Sequence, residues 1–138
     1  MQKTLSFFVT TLHKDFLAFC NKKLQEIGLT QGLMYFILYI EKHQNCSPGR
    51  LASDLHFDIG HTARSLDKLE QDGFITRVKN SQDKRAYCLG LTKKGGNAVA
   101  MIRDLLIQWD ETRFSKIDET ERSELLRILD KLGAPEHV

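Results

Sequence analysis

Between Lys3 and Ile27 the apolar residues Leu5, Val9, Leu12, Phe16, Phe19, Leu24 and Ile27 step mostly by three and four. That spacing predicts a long amphipathic helix, closed by Gly28. Phe7, Phe8, Leu17 and Cys20 widen its apolar surface beyond one stripe, so the helix has two surfaces to cover, one in its own domain and one against a second subunit. Thr30 is placed to cap a second helix running to about His43. With Leu33, Met34, Phe36, Ile37, Leu38 and Ile40 it is apolar nearly all round, which predicts a central position. After the link Gln44-Asn45-Cys46, Ser47-Pro48 reads as an N-cap with proline at the first helical position, where its missing N–H costs nothing. The short helix that follows, Gly49 to Leu55, turns Leu51, Ala52 and Leu55 inward. His56-Phe57-Asp58 make a tight turn into a helix from Asp58 to Gln71, in which Ile59, Ala63, Leu66 and Leu69 recur at helical spacing and Gly73 is the stop.

The pattern then changes period. Ile75 to Lys79 and Tyr87 to Leu91 carry alternating or β-favouring residues around the polar tip Asn80-Ser81-Gln82-Asp83-Lys84, which predicts a hairpin. Thr92 caps another long helix, Lys93 to about Phe114, with Ala98, Val99, Ile102, Leu105, Leu106 and Trp109 on its apolar side. Asp118 with Glu121 three residues later forms a capping-box pattern. The last helix carries Leu125, Leu126, Ile128, Leu129 and Leu132 and ends at Gly133 and Pro135. The predicted fold is mainly α: a winged helix-turn-helix with a two-stranded β wing, flanked by long N- and C-terminal dimerisation helices. One domain is expected over 1–138, with the winged lobe at about 30–92 and the dimerisation helices at about 3–27 and 93–133.

Composition narrows this picture only slightly. A chain of 138 residues is single-domain in size, and 41% hydrophobic with 28% charged residues is ordinary for a globular protein. A net charge of +2 permits nucleic-acid binding without demanding it, so any basic footprint has to be local. No apolar run approaches the roughly 18 residues of a membrane span, and the N-terminus shows no signal-peptide core. The three cysteines, Cys20, Cys46 and Cys88, form no CxxC pair and are expected to be reduced, in a cytoplasmic protein. His13, His43, His56, His61 and His137 are scattered, and no metal or other cofactor is expected. No nucleophile elbow, P-loop or paired-carboxylate motif is present, so no catalytic residue is assigned.

Candidate chemistry concentrates on the helix and hairpin of residues 58–92. A helical wheel places Ile59, Ala63, Leu66 and Leu69 on one side and His61 and Lys68 opposite, with Arg64 and Ser65 on the flanks. Recognition helices read base edges mainly from their N-terminal half. Arg64 is therefore the leading base reader, since its fork pairs with guanine O6 and N7 together. His61, Thr62 and Ser65 are candidates for bases or phosphates, and Lys68 for the backbone. Taken alone, a polar face with one Arg and one Lys is only solvated surface. In the wing, Asp83 two residues before Arg85 can hold the guanidinium in a set direction for a narrow minor groove. Lys79 and Lys84 would add phosphate contacts, and Arg77 would either do the same or pack structurally. Ser47 and Arg50, with Ser53, are candidates for phosphates, although Ser47 reads first as a cap. Cys20, on an apolar face beside Phe16 and Phe19, reads first as a packing residue.

These residues together resemble the multiple-antibiotic-resistance regulator (MarR) family over nearly the whole chain in element order. The resemblance is carried by Leu29-Thr30, the Leu51-Ala52 pair and Leu69-Glu70-Gln71-Asp72-Gly73-Phe74-Ile75-Thr76-Arg77. It rests above all on Asp83-Lys84-Arg85 followed by Leu91-Thr92-Lys93-Lys94-Gly95, which match the Asp-x-Arg and Leu-Thr-x-x-Gly patterns in full. The resemblance implies a homodimeric regulator, a repressor or activator, that binds double-stranded DNA at a pseudo-palindromic operator and is released by a small-molecule or redox signal. It also implies a pocket for a small lipophilic or phenolic effector, for which Tyr35, Phe36, Tyr39 and Trp109 are the candidate lining. Hydroperoxide sensors of the family carry their reactive cysteine well upstream of the Gly-Leu-Thr element, whereas Cys20 stands just before Gly28. The rival expectation is a winged helix used for protein contact without DNA binding.

Overall fold

A computed structural model describes residues 2–83 and 86–133. Six helices and one hairpin follow in the order α1 (Leu5–Leu24), a 3-10 turn (Gln25–Ile27), α2 (Gln31–Lys42), α3 (Pro48–Leu55), α4 (Ile59–Gln71), β1 (Ile75–Lys79), β2 (Tyr87–Leu91), α5 (Lys93–Phe114) and α6 (Glu119–Leu132). The boundaries follow from local chemistry. Thr4, Thr30, Ser47, Asp58, Thr92 and Asp118 each accept a hydrogen bond from a first-turn backbone N–H of the helix they precede. Asp118 and Glu121 form a reciprocal capping box. Gly28, Gly73 and Gly133 adopt positive φ at helix ends, where a side chain would be strained.

α2 is the centre. Met34, Phe36, Ile37, Tyr39 and Ile40 are all buried, against residues from every other element of the lobe. Leu51 from α3, Leu66 and Leu69 from α4, Phe74 and Ile75 beside the wing, Leu89 from β2 and Ala98, Val99, Ile102 and Leu105 from α5 complete one core. The wing is an antiparallel pair in the register Ile75↔Leu91 to Lys79↔Tyr87. The middle of β2 is held from its other edge, because the Asn45 N–H donates to the Leu89 carbonyl at 3.0 Å and the Leu89 N–H to the Cys46 carbonyl at 2.8 Å. At its tip the Asn80 side chain accepts from the Gln82 N–H at 2.8 Å, an Asx turn.

The join between wing and α5 explains the Leu91-to-Gly95 motif. The Thr92 hydroxyl donates to the Gly73 carbonyl at 2.5 Å and accepts from the Gly95 N–H at 3.0 Å, so one side chain caps α5 and ties it to the end of α4. A Cβ on Gly95 would lie 2.1 Å from the Phe74 carbonyl oxygen, so only glycine lets α5 start this close to β1. The terminal helices contrast with this packing. α6 buries none of its residues, and the N-terminal half of α1 leaves Leu5, Phe8, Val9 and Leu12 exposed. No helix is long and apolar enough to cross a membrane among the described residues.

Candidate nucleic-acid interface

α3, the turn at His56 and α4 form the helix-turn-helix. His56 takes a left-handed conformation at φ 58°, and the Phe57 N–H returns to the Ala52 carbonyl at 3.0 Å, so the chain reverses within three residues. Phe57 then stacks on Phe36 of α2 at 5.2 Å, which sets the angle at which α4 leaves the core.

The buried side of α4 differs from the expected one. Leu66 and Leu69 are buried as the periodicity predicts, but the stripe continues N-terminally through Ser65 and Thr62, which are 7% and 2% exposed. Ile59 and Ala63 face outward, Ile59 at 82% exposure. Both polar residues are tolerated inside, since Ser65 is small and the Thr62 hydroxyl donates to the Asp58 carbonyl at 2.9 Å. Thr62 and Ser65 therefore leave the set of DNA-facing candidates. His61 is half-buried, with its ring edge-on to Phe57 at 5.0 Å and near Phe36 at 5.9 Å, so it braces the helix as much as it meets solvent. Arg64 is exposed and makes no ion pair among the described residues. Lys68 is exposed and bonds Asp72 at 2.8 Å.

Two carboxylates on the C-terminal half of α4 would repel a phosphate backbone if left bare. Arg77 of β1 answers both, with its Nη2 2.6 Å from Asp67 and 2.9 Å from Glu70. This hydrogen bond to Arg77 holds the Glu70 carboxyl below its ordinary value, and burial opposes the shift only in part. Arg77 is thus a structural residue that joins wing to recognition helix, one of the two roles its sequence position left open. Lys79, at the end of β1, is exposed. Lys84 and Arg85 lie outside the described residues. Asp83 is exposed at the wing tip, and its backbone carbonyl accepts from the Ala86 N–H at 3.0 Å. Ser47 accepts from the Arg50 N–H at 3.1 Å, so its oxygen serves the cap. Arg50 is exposed and stands 3.7 Å from Asp54.

Behind this face lies a cavity of about 730 Å³ between α1, α2, α3 and α5. Phe16, Tyr35, Leu38, Tyr39, Leu55 and Leu106 supply apolar wall, and Glu41, His43, Asp54 and Arg103 supply polar edge. Two of the four expected lining residues, Tyr35 and Tyr39, are there. Phe36 is wholly buried in the core on the other side of α2, and Trp109 stands behind Phe16, edge-on at 5.3 Å, with its indole N–H on Asp15 at 2.8 Å. Helical periodicity could not separate the two sides of so apolar a helix. The Tyr39 hydroxyl donates to Asp54 of α3, and burial pushes its pKa up to about 12. Of the thiols, Cys20 is fully buried and burial raises it to about 11, while burial also raises Cys46. A thiol held protonated is a poor nucleophile toward an oxidant.

The sequence model of the MarR family matches residues 29–87. Over 133 residues the chain is 40% identical to the HTH-type transcriptional regulator BilQ of Clostridium symbiosum, across 96% of this chain and 92% of that one. The crystal structure of MarR superposes with a TM-score of 0.85 at 25% identity, covering 95% of this chain and 89% of that chain. FabT of Streptococcus pneumoniae, solved in complex with DNA, gives a TM-score of 0.81 at 25% identity, covering 93% and 92%. The chain belongs to the MarR family. It is a DNA-binding transcription regulator of the MarR type, not an enzyme.

Proposed function

We propose that the chain acts in the cytoplasm as a homodimeric repressor on a pseudo-palindromic operator. Two copies of α4 enter successive major grooves, and the two wings reach the flanking minor grooves through Arg85. The observation that carries the dimer is the apolar surface left on the terminal helices. Leu125, Leu126, Ile128, Leu129 and Leu132 on α6 and Leu5, Phe8, Val9 and Leu12 on α1 are all exposed in a single chain. A patch of this kind on two helices marks an interface, and a twofold pair would cover it with a second copy of itself.

Release is assigned to a small lipophilic or phenolic molecule in the cavity, in preference to a redox signal. The support is twofold: aromatic wall with a hydroxyl suits such a ligand, and two of the three thiols, Cys20 and Cys46, are buried away from any oxidant while Cys88 is half-buried. The cavity also touches the DNA side directly. Tyr39 lines it and bonds Asp54, and Asp54 stands beside Arg50 on the outer face of α3. An occupant that engages Tyr39 changes what Asp54 holds, and through it where Arg50 lies.

Footprinting the protein on DNA upstream of its own gene tests this function. Two protected half-sites related by a dyad, about 34–36 Å apart or a multiple of it, are expected. Protection of a single unpaired site overturns the dimer reading, and no protection at low salt overturns operator binding. A panel of simple phenols should then reduce protection, more in the wild type than in Tyr39→Phe.

A further inference from the structure

The outward face of α4 carries a feature that charge alone does not explain. Ile59, in the first turn, is 82% exposed, while its neighbours on the same face are Gly60, Ala63 and Arg64. Single exposed aliphatics are common on protein surfaces. What distinguishes Ile59 is the ground around it. By helical geometry Gly60 and Ala63 lie between Ile59 and Arg64 on the helix surface. The result is a shallow strip with a branched apolar edge on one side and a guanidinium on the other. The strip is shallow because its floor has almost no side chain. A Cβ on Gly60 would stand 3.2 Å from Arg64 Nη1, so the guanidinium lies back over the bare backbone of the preceding turn. A helix with so little bulk in its first turns can approach base edges closely, and those turns are where recognition helices read.

We propose that Ile59 is a specificity-determining residue that packs on the 5-methyl group of a thymine in the major groove, with Arg64 reading a guanine on the other edge of the strip. The thymine methyl is the one apolar group that the major-groove floor offers, and aliphatic contact is how it is read. Removing Ile59 from water against that methyl would cover an apolar side chain that is 82% exposed among the described residues. The inference rests on α4 being the helix that enters the groove. It adds to that placement a second base and a second kind of contact.

The test uses duplexes that the intact protein selects from a random-sequence pool. Each thymine of the selected site is replaced in turn by deoxyuridine, which deletes only the 5-methyl group. In each half-site, one such replacement should weaken wild-type binding about fourfold, the worth of one buried methyl-sized group. Ile59→Ala should bind the thymine duplex weakly and lose nothing further on the uracil duplex. Ile59→Val, which keeps a branched Cβ, should retain part of the difference. Ile59 is outside the core, so both variants should unfold at the wild-type temperature. Wild-type binding indifferent to every thymine methyl, or Ile59→Ala as sensitive as wild type, overturns the inference. Selected sites without twofold symmetry would overturn the homodimer instead and leave the methyl comparison readable.

Discussion

In the winged lobe, Phe36, Leu51, Leu66, Leu69, Phe74 and Leu89 are sealed from solvent by elements of the same chain. On α6, five large aliphatics remain in water and no residue is buried. α1 shows both conditions along one helix: Cys20 and Leu24 sit in the core, while Leu5, Val9 and Leu12 in its first turns are exposed. The lobe is therefore complete as a monomer, and the terminal helices are complete only when something covers them. In the proposed dimer, recognition and spacing fall to different parts of the chain: the lobe would read the bases, and the terminal helices would set how far apart two lobes stand.

The largest effect should come from breaking the terminal surface. Leu126→Asp combined with Leu129→Asp removes four leucines from a twofold interface, and since each is already about half buried in the single chain the loss is about 3–5 kcal/mol. Sedimentation should show a monomer with helical content almost unchanged. A dimer that persists would place the interface elsewhere. Next is the inner seam of the lobe. Gly95→Ala pushes a methyl group into the Phe74 carbonyl and should cost about 1–3 kcal/mol in urea unfolding. An unchanged midpoint would mean that α5 shifts freely against β1.

A comparable but selective loss is expected within the lobe's reading face. Arg64→Ala should relax sequence preference by about 1–3 kcal/mol at one base pair. Arg85→Ala should instead weaken binding to all sequences and reduce the salt slope by about one. Titrations on operator and scrambled duplexes separate the two, and equal loss of discrimination in both would sink the division of labour. The smallest effect concerns the tie between wing and helix. Arg77 depresses the Glu70 pKa, so the pair's contribution is fully present above the ordinary carboxylate value of 4.5. It is lost as pH falls through the depressed folded value. The groups are partly exposed, so Glu70→Gln should cost no more than about 1 kcal/mol, and it should flatten stability against pH below that value.

Capping chemistry made the element boundaries legible. Thr30, Ser47, Asp58, Thr92 and Asp118 announce helix starts because their oxygens satisfy orphan N–H groups locally, whatever the rest of the chain does. The side of α4 was less legible. Ile59, Ala63, Leu66 and Leu69 form an apolar series, yet the helix turns Thr62 and Ser65 inward. The direction in which Phe57 seats on Phe36 decides the arc that meets α2. An apolar series reports which residues prefer burial, not which of them have a neighbour. Ile59 stays 82% exposed among the described residues. The cavity shows the same limit, since Phe36 and Tyr39 both lie on a helix that is apolar all round, and only packing sends one to the core and the other to the cavity wall.

By itself the sequence determined the order of elements, the caps and the hairpin, because these rest on interactions within a few residues. It also put Arg64 and Lys68 on the exposed surface of α4. Tertiary structure alone decided that Arg77 pairs with both Asp67 and Glu70, that Gly95 is pressed against Phe74, and that Ile59 faces out beside Arg64. Each of those depends on the distance between groups brought together by packing, which residue spacing along the chain does not encode.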